Sequence, residues 1–356
     1  MKTIDKFQVT APTRADLAGG TLDLWPLYCL VPNSRTVNIA LDLNAVVQFE
    51  VVESDFCQVE LKGPKDSYTF KPSKADFKSE IIPAGLRFPA FVVNQFLVSQ
   101  ESLPSYFIRI RFSSSVPQGS GLGGSSTLLV ALGRGLCRVC SDYTEQGWQW
   151  RFLQWAKDTE GAFLKVPTGT QDYLAALFGG LHSYQFQLGK IVQTSYPASV
   201  FESLNERMVI VFSGEQHQSG LSNWEVYKKA IEGNAEVLGG LNQIATIAQS
   251  LNESLQKEVI AWPEVGKLLD EEWKVRRNTF QVNTPTLDRT LEAVRKMGTI
   301  GVKVCGAAQG GSLLVLAEPN HRSKLIEQLT KAGIQVLQAR GTRSGVNIQD
   351  DTSDVD

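Results

Sequence analysis

Apolar residues fall along this chain in two rhythms. In "YFIRIRF", Ile108, Ile110 and Phe112 alternate with Arg109 and Arg111, the period of two that a half-buried strand requires. Further strand-like runs are "FQVTAP", "LNAVVQFEVVE", "ERMVIVFSG" and "VKVCGAAQGGSLLVLAE". Residues 125–140, 144–160, 222–250 and 320–332 instead carry helical spacing, with Leu128, Leu132 and Leu136 four apart. Strands and helices interleave without a regular alternating beat, which predicts an α+β fold rather than a doubly wound parallel sheet. The polar connection "TSYPASVFESLNER" precedes the strong strand Met208 to Phe212 and puts a domain boundary near residue 200. Two domains, 1–200 and 201–346, are then followed by an acidic tail, 347–356, expected to be mobile.

Composition narrows the class. The 356 residues are 42% apolar and 20% charged, enough to bury a sizeable core in two globular domains. Lysine and arginine number 35 against 37 acids, a net charge of −2, so no general attraction to nucleic acid or to an anionic membrane is expected. The start "MKTIDKFQVT" lacks the apolar stretch of a signal peptide, and no run reaches the roughly 18 uncharged apolar residues of a membrane span. A soluble, cytoplasmic protein is expected. Five scattered cysteines suit a reducing compartment, and Cys137 and Cys140, though spaced C-x-x-C, lack the second ligand pair of a zinc site and read as helix residues. Nothing in these features encodes the oligomeric state.

Between the strand and the helix with the clearest periods lies "VPQGSGLGGSST", with glycines at 119, 121, 123 and 124. Glycine weakens any regular element that contains it, but it lets backbone approach a ligand closely. With a helix beginning near Ser125, the unpaired amides of its first turn and the helix dipole make an anion site in which a phosphate would fit. The string Gly119-x-Gly121-x-x-Gly124 also matches the dinucleotide fingerprint, but that fold needs a second parallel strand with an acid about 20 residues on, where this chain reads as helix. The P-loop spacing nearly fits too, with Ser125 where its lysine should stand. A glycine-rich connection with no ligand is the plain alternative.

"PQGSGLGGSS" resembles the phosphate loop of the GHMP kinases (galactokinase, homoserine kinase, mevalonate kinase, phosphomevalonate kinase), with Gly124 replacing the first of two serines. "APTRADLAGGTLDLWPLY" resembles the first motif of that family and "VKVCGAAQGGSLLVLA" its third, where Ala308 and Gln309 depart from the usual glycines. The three stand in family order from residue 11 to residue 317. The resemblance implies a ribosomal-protein-like α/β N-terminal domain, a ferredoxin-like C-terminal domain, and an ATP- and Mg²⁺-dependent kinase. By resemblance, Pro117, Gly119, Ser120, Gly121, Leu122, Gly123, Gly124, Ser125 and Ser126 bind the nucleotide. Ser125 and Glu160 hold Mg²⁺, with Asp158 a rival to Glu160.

Phosphoryl transfer to an alcohol further needs a proton acceptor and positive charge near the migrating group. Asp172 matches the family's catalytic base, and Arg14 the cation that would keep it ionised. A surface acid and a surface arginine are the plain alternatives. Gly19, Gly20, Thr21, Asp23, Gly306 and Gly310 match substrate-facing turns, and His217, with Ser219 and Asn223, falls where the sugar kinases carry a basic residue and serines. Asp23 is suited to accept hydrogen bonds from a polyol, or alternatively to cap a turn. "AGGTLD" with "GTQDYLAALFGG" resembles the branch that phosphorylates sugars at the anomeric hydroxyl, such as heptose 7-phosphate kinases and fucokinases. The expectation is therefore a small-molecule kinase acting on a sugar or sugar phosphate. A mevalonate-type alcohol kinase of isoprenoid synthesis and a non-catalytic ligand-binding member of the fold are the alternatives.

Overall fold

The computed structural model describes residues 2–74, 77, 79–141, 145–215, 219–306 and 311–351, without the side chains of Ser79 and residues 219–222. Strands β1 (Thr3–Ala18) and β2 (Arg35–Glu53) run antiparallel and form the spine of the first sheet. Both are longer than the apolar runs that announce them. Burial alternates in the first half of β1 but is continuous from Ala11 to Ala18, because that half is covered on both faces. Charged residues lie there among apolar ones, so the period-two signal disappears.

Strand β2 then splits its partners. Its later part, Ala45 to Glu53, pairs with β5 (Tyr106–Ser114), and its first part, Arg35 to Ile39, pairs with β6 (Leu181–Gln187). Strand β3 (Gln58–Lys62) lies parallel to β5 and antiparallel to β4 (Ser67–Phe70), while β7 (Lys190–Ser195) extends the β6 branch. After the one-turn helix α1 (Leu27–Leu30) come α2 (Arg87–Ser99), α3 (Gly124–Val139), α4 (Trp148–Leu164) and α5 (Gln171–Phe178). Helices α2 to α5 bury Phe96, Leu132, Phe152 and Leu174 in one core with Phe7 and Phe49 of the sheet. Helix α3 can approach the sheet closely because Gly135 has no side chain; a Cβ there would lie 2.1 Å from the Phe49 ring.

The second sheet has the strand order β11-β8-β10-β9, all antiparallel, from β8 (Met208–Phe212), β9 (Gly301–Val304), β10 (Ser312–Leu316) and β11 (Gln335–Leu337). Its helices are α6 (Ala198–Asn205), α7 (Ser219–Ile231), α8 (Ala235–Leu255), α9 (Trp262–Phe280), α10 (Pro285–Lys296) and α11 (Pro319–Lys331). This is the ferredoxin-like order expected for the C-terminal part. One face packs on α10 and α11 through Leu287, Leu291, Leu325 and Leu329. The other shares a core with the first sheet, where Ile210, Leu314, Leu251 and Leu269 meet Leu17, Ile39 and Leu41.

Two expectations change. The helix expected over 222–250 is two helices, α7 and α8, because Gly233 turns the chain at φ +79° and Asn234 accepts the Val237 amide at 3.0 Å as a fresh N-cap. The acidic tail expected to be mobile from residue 347 instead begins with a strand, β12 (Asn347–Asp350), paired along the outer edge of β1. Unpaired edge amides of β1 attract it, and Asp350 is held by Arg138 at 2.6 Å. Residues 352–356 lie outside the described residues. The strands of the first sheet otherwise end at Ser195 and those of the second begin at Met208, either side of residue 200.

After α3 the chain continues into α4 and α5, not into a parallel strand beside β5, so the dinucleotide alternative lacks its second strand. Cys137 lies inside α3 and Cys140 at its C-cap. Among the described residues there is no group of three or more His, Cys, Asp or Glu placed to hold a metal, and no helix long and apolar enough to cross a membrane.

Candidate active site

The loop from β5 to α3 is shaped by left-handed backbone at alternate positions: Gly119, Gly121 and Gly123 have φ of +68°, +73° and +79°. Helix α3 starts on Gly123 with no side-chain cap, which leaves its first amides for an anion. In its first turn, Ser125 Oγ donates to Glu160 Oε1 at 2.8 Å, and Ser126 Oγ donates to Oε2 at 2.8 Å. The Tyr173 hydroxyl also donates to Oε2. Burial pushes the Glu160 pKa up, the three hydroxyls oppose that, and the charge of Asp172 adds to it. Asp158 points outward to Lys157 at 3.0 Å with a side chain 60% exposed, so Glu160 is the acid of this pair that faces the loop.

The next group is built on β1 and the first turn of α5. Arg14 directs Nε and Nη2 to Asp172 Oδ1, at 2.6 and 2.5 Å, and Nη1 to the Gly121 carbonyl at 2.6 Å. One buried guanidinium thus ties the loop to the carboxylate. Burial disfavours its charge, but Asp172 and Asp16 outweigh that and raise its pKa. Gly123 is needed here a second time, since a Cβ on it would lie 3.0 Å from the Asp172 carboxyl carbon. Asp23 Oδ2 accepts the amides of Thr170 and Gln171 at 2.6 and 2.9 Å, securing the start of α5, while its Oδ1 is buried without a partner among the described residues. Burial lifts the Asp23 carboxyl to about 6; its amide bonds oppose the shift and Asp172 adds to it.

Behind these groups lies a buried charge network that the sequence did not announce. Asp16, Glu272 and Lys303 are 0% exposed and Arg276 is 1% exposed. Lys303 bonds both the carboxylate and the carbonyl of Asp16 and sits 3.5 Å from Glu272, which Arg276 reaches at 3.1 Å. Burial would raise the Asp16 pKa, but Lys303, Arg14 and Arg276 hold it well below the usual carboxylate range. Burial likewise works against the Lys303 charge, but Asp16 and Glu272 prevail and raise its pKa. Each member also grips a loop. Glu272 accepts the Gly19 amide at 3.0 Å, Arg276 donates to the Gly20 carbonyl, and Asp16 Oδ1 accepts the Gly306 amide at 2.8 Å. The start of β10 also meets the loop before α3, where the Ser312 amide donates to the Ser120 carbonyl at 2.7 Å.

These elements enclose a cavity of about 670 Å³ lined by Arg14, Thr21, Asp23, Glu160, Asp172, Gly306 and the 117–125 loop. Its other end is apolar, with Phe88, Pro89, Leu128, Phe163 and Leu164; the Phe88 and Phe163 rings are 5.1 Å apart. Comparison with known proteins bears directly on it. The family model of the GHMP kinases N terminal domain matches residues 91–180, and that of the GHMP kinases C terminal matches residues 251–335. The chain belongs to the GHMP kinase family. Among curated relatives of this GHMP kinase, D-glycero-alpha-D-manno-heptose 7-phosphate kinase of Campylobacter jejuni is 25% identical, over 97% of this chain and 98% of the relative. Galactokinase of Thermococcus kodakarensis is also 25% identical, over 87% and 89%. Among solved structures, a D-glycero-D-manno-heptose 1-phosphate kinase from Bacteroides thetaiotaomicron superposes with a TM-score of 0.75 at 21% identity, over 98% of this chain and 100% of that one. That likeness shows the two-domain GHMP kinase fold.

In this GHMP kinase the residues expected from sequence divide by place. Pro117, Gly119, Ser120, Gly121, Gly123, Gly124 and Ser125 line the cavity, as do Arg14, Thr21, Asp23, Glu160, Asp172, Asn223 and Gly306. Leu122 does not; its side chain is wholly buried in the core between the sheets, and its carbonyl accepts the Arg14 amide at 3.1 Å. Ser126 is buried on Glu160, and Gly19 and Gly20 sit behind the wall on the charge network. His217 and Gly310 lie outside the described residues, as does the side chain of Ser219. Sequence reasoning missed Asp16, Gln171, Glu272, Arg276, Lys303 and the apolar end. For Lys303 a signal existed, a lone lysine within the apolar run "VKVC".

Lys303→Met, which leaves Asp16 and Glu272 short of a cation, should destabilise the fold by about 3–5 kcal/mol. A denaturant midpoint equivalent to less than about 1 kcal/mol of loss would show that the network carries no such weight. The Asp23 carboxyl, raised to about 6 from an ordinary 3.8, binds its proton more tightly in the folded chain. Its contribution to stability is therefore full below about pH 4 and lost as pH rises through about 6. Across that window the wild type should lose stability relative to Asp23→Asn by at most about 3 kcal/mol; parallel stability curves would refute the assignment.

Proposed function

We propose that this GHMP kinase transfers the γ-phosphoryl group of ATP to a hydroxyl of a sugar or sugar phosphate. The observation that carries the reading is Asp172, packed against Gly123 of the glycine loop and gripped through Oδ1 by Arg14. A triphosphate on the amides of residues 119–125 would present its terminal phosphorus toward that carboxylate, and the apolar end of the cavity would take the base. Asp172 Oδ2 accepts the acceptor's hydroxyl proton, while Arg14 orients the carboxylate through Oδ1 and lends positive charge to the migrating group.

The residues present fit a magnesium ion at one place. Ser125 Oγ and Glu160 Oε1 stand together on the cavity wall as two hard oxygen donors, which suits an ion that takes one or two protein ligands and completes its shell with phosphate and water. Bound there, Mg²⁺ supplies charge neutralisation to the phosphates. The Campylobacter relative and the Thermococcus relative are named for a sugar phosphate and a free sugar respectively, and both acceptor types fall within the proposal.

ADP release measured across free sugars, sugar phosphates and mevalonate tests the reading. Turnover is expected with a member of the sugar set, and Asp172→Asn should lower it by about 10²–10⁴-fold while binding of an ATP analogue persists. Turnover with mevalonate in place of every sugar would move the assignment to an alcohol kinase, and binding without turnover of any acceptor would leave a ligand-binding protein.

A further inference from the structure

The acceptor end of the cavity has an unbalanced chemistry. Two carboxylates, Asp23 and Asp172, stand on its wall with Thr21, Gln171 and Asn223. Arg14 is the one lysine or arginine among the described residues that line the cavity. Its guanidinium is already committed to Asp172 and to the Gly121 carbonyl. The nearby cations Lys303 and Arg276 are 0% and 1% exposed and engaged with Asp16, Glu272 and the Gly20 carbonyl. In sequence, the stretches Glu215 to Asn223 and Gly306 to Gly311 contain no lysine or arginine, and His217 is their one side chain able to gain positive charge.

Recognition of a phosphate ester draws on arginine or lysine, because a dianion removed from water needs charge-assisted donors. Here it would meet two carboxylates instead. What this end does offer is acceptors. Asp23 Oδ1 and Gln171 Oε1 are buried oxygens without hydrogen-bond partners among the described residues, on residues 1% and 6% exposed. A buried acceptor left unpaired is unfavourable, and a hydroxyl that donates to it removes the deficit. Several such hydroxyls in fixed relation are what a neutral sugar presents.

Resting on the sugar-kinase reading, we infer that the acceptor is an unphosphorylated sugar whose hydroxyls are read by Asp23 and Gln171, and that sugar phosphates are rejected. Gln171 is then a specificity residue. It stands beside the base in sequence, and its amide is held by Asp23, so the two recognition groups and Asp172 move as one unit at the start of α5.

Initial rates of ADP release with the full chain at pH 8, where a histidine is neutral, should be compared on matched pairs: galactose and its 6-phosphate, mannose and its 6-phosphate, glycero-manno-heptose and its 7-phosphate. For the pair that is used, kcat/KM for the free sugar should exceed that for the ester by at least about 100-fold. Gln171→Ala should raise KM for the free sugar by about 10-fold or more with KM for ATP unchanged, a split that general loss of structure would not give. Gln171→Met, similar in length and without the acceptor oxygen, supplies the same readout should the alanine variant fold poorly. A phosphate ester used as well as or better than its free sugar overturns the inference while leaving the kinase reading in place. Silence from every sugar, free or esterified, overturns that reading and this inference with it.

Discussion

The site depends on a set of charges that have left water together. Arg14, Arg276 and Lys303 are matched by Asp16, Asp172 and Glu272, and of these six only Asp172 reaches solvent appreciably, its side chain being 24% exposed. A buried ion costs several kcal/mol unless its partners and hydrogen bonds are complete. This network is therefore stable only when its contributors, β1, α5, α9 and β9, all stand in their places. Loops tied to it through Gly19, Gly20, Gly121 and Gly306 inherit that condition. The relative position of the three glycine motifs follows from electrostatics between residues as far apart as 16 and 303.

Glycine carries the other half of the assembly, through absence of side chain. Gly306 and Gly311 approach the loop before α3 so closely that a Cβ on either would lie 2.8 Å from the Gly121 or Ser120 carbonyl. Both have left-handed backbone as well, at φ +69° and +87°. The third motif thus serves as a wall against the second. Its Ala308 and Gln309, which depart from the family pattern, lie outside the described residues.

Much of this was legible where a local signal existed. Alternation in "FIRIRF" and the leucines of α3 placed the strand and helix on either side of the loop, because each has one face in a core and one toward solvent. The signal failed where both faces are covered. In the second half of β1 and in β9 burial is continuous, so Asp16 and Lys303 look like the polar positions of a half-exposed strand. Glu272 and Arg276 are four apart on α9 within "EEWKVRR", which reads as a solvated helix face with an ordinary ion pair. Only the partners contributed by β1 and β9, more than 25 residues away, reveal that the pair is internal. For Asp23 the sequence left two roles open, polyol contact and cap, and the geometry leaves room for both: Oδ2 holds α5 while Oδ1 is unpartnered.

On the proposed reading, that division within one carboxylate would couple recognition to chemistry at this end of the cavity. The amides that Asp23 restrains belong to Thr170 and Gln171, immediately before Asp172. A hydroxyl taking up Oδ1 would stiffen the same carboxylate and with it the turn that carries Asp172. Arg14 closes the circuit from the other side, since its bonds to Asp172 and to the Gly121 carbonyl fix that aspartate against the glycine loop. In-line transfer demands that donor phosphorus, acceptor oxygen and base be held to within a fraction of an ångström. For the transfer proposed here, two short bridges would supply that tolerance, one from Asp23 to the amides just before Asp172 and one from Arg14 to Asp172 itself.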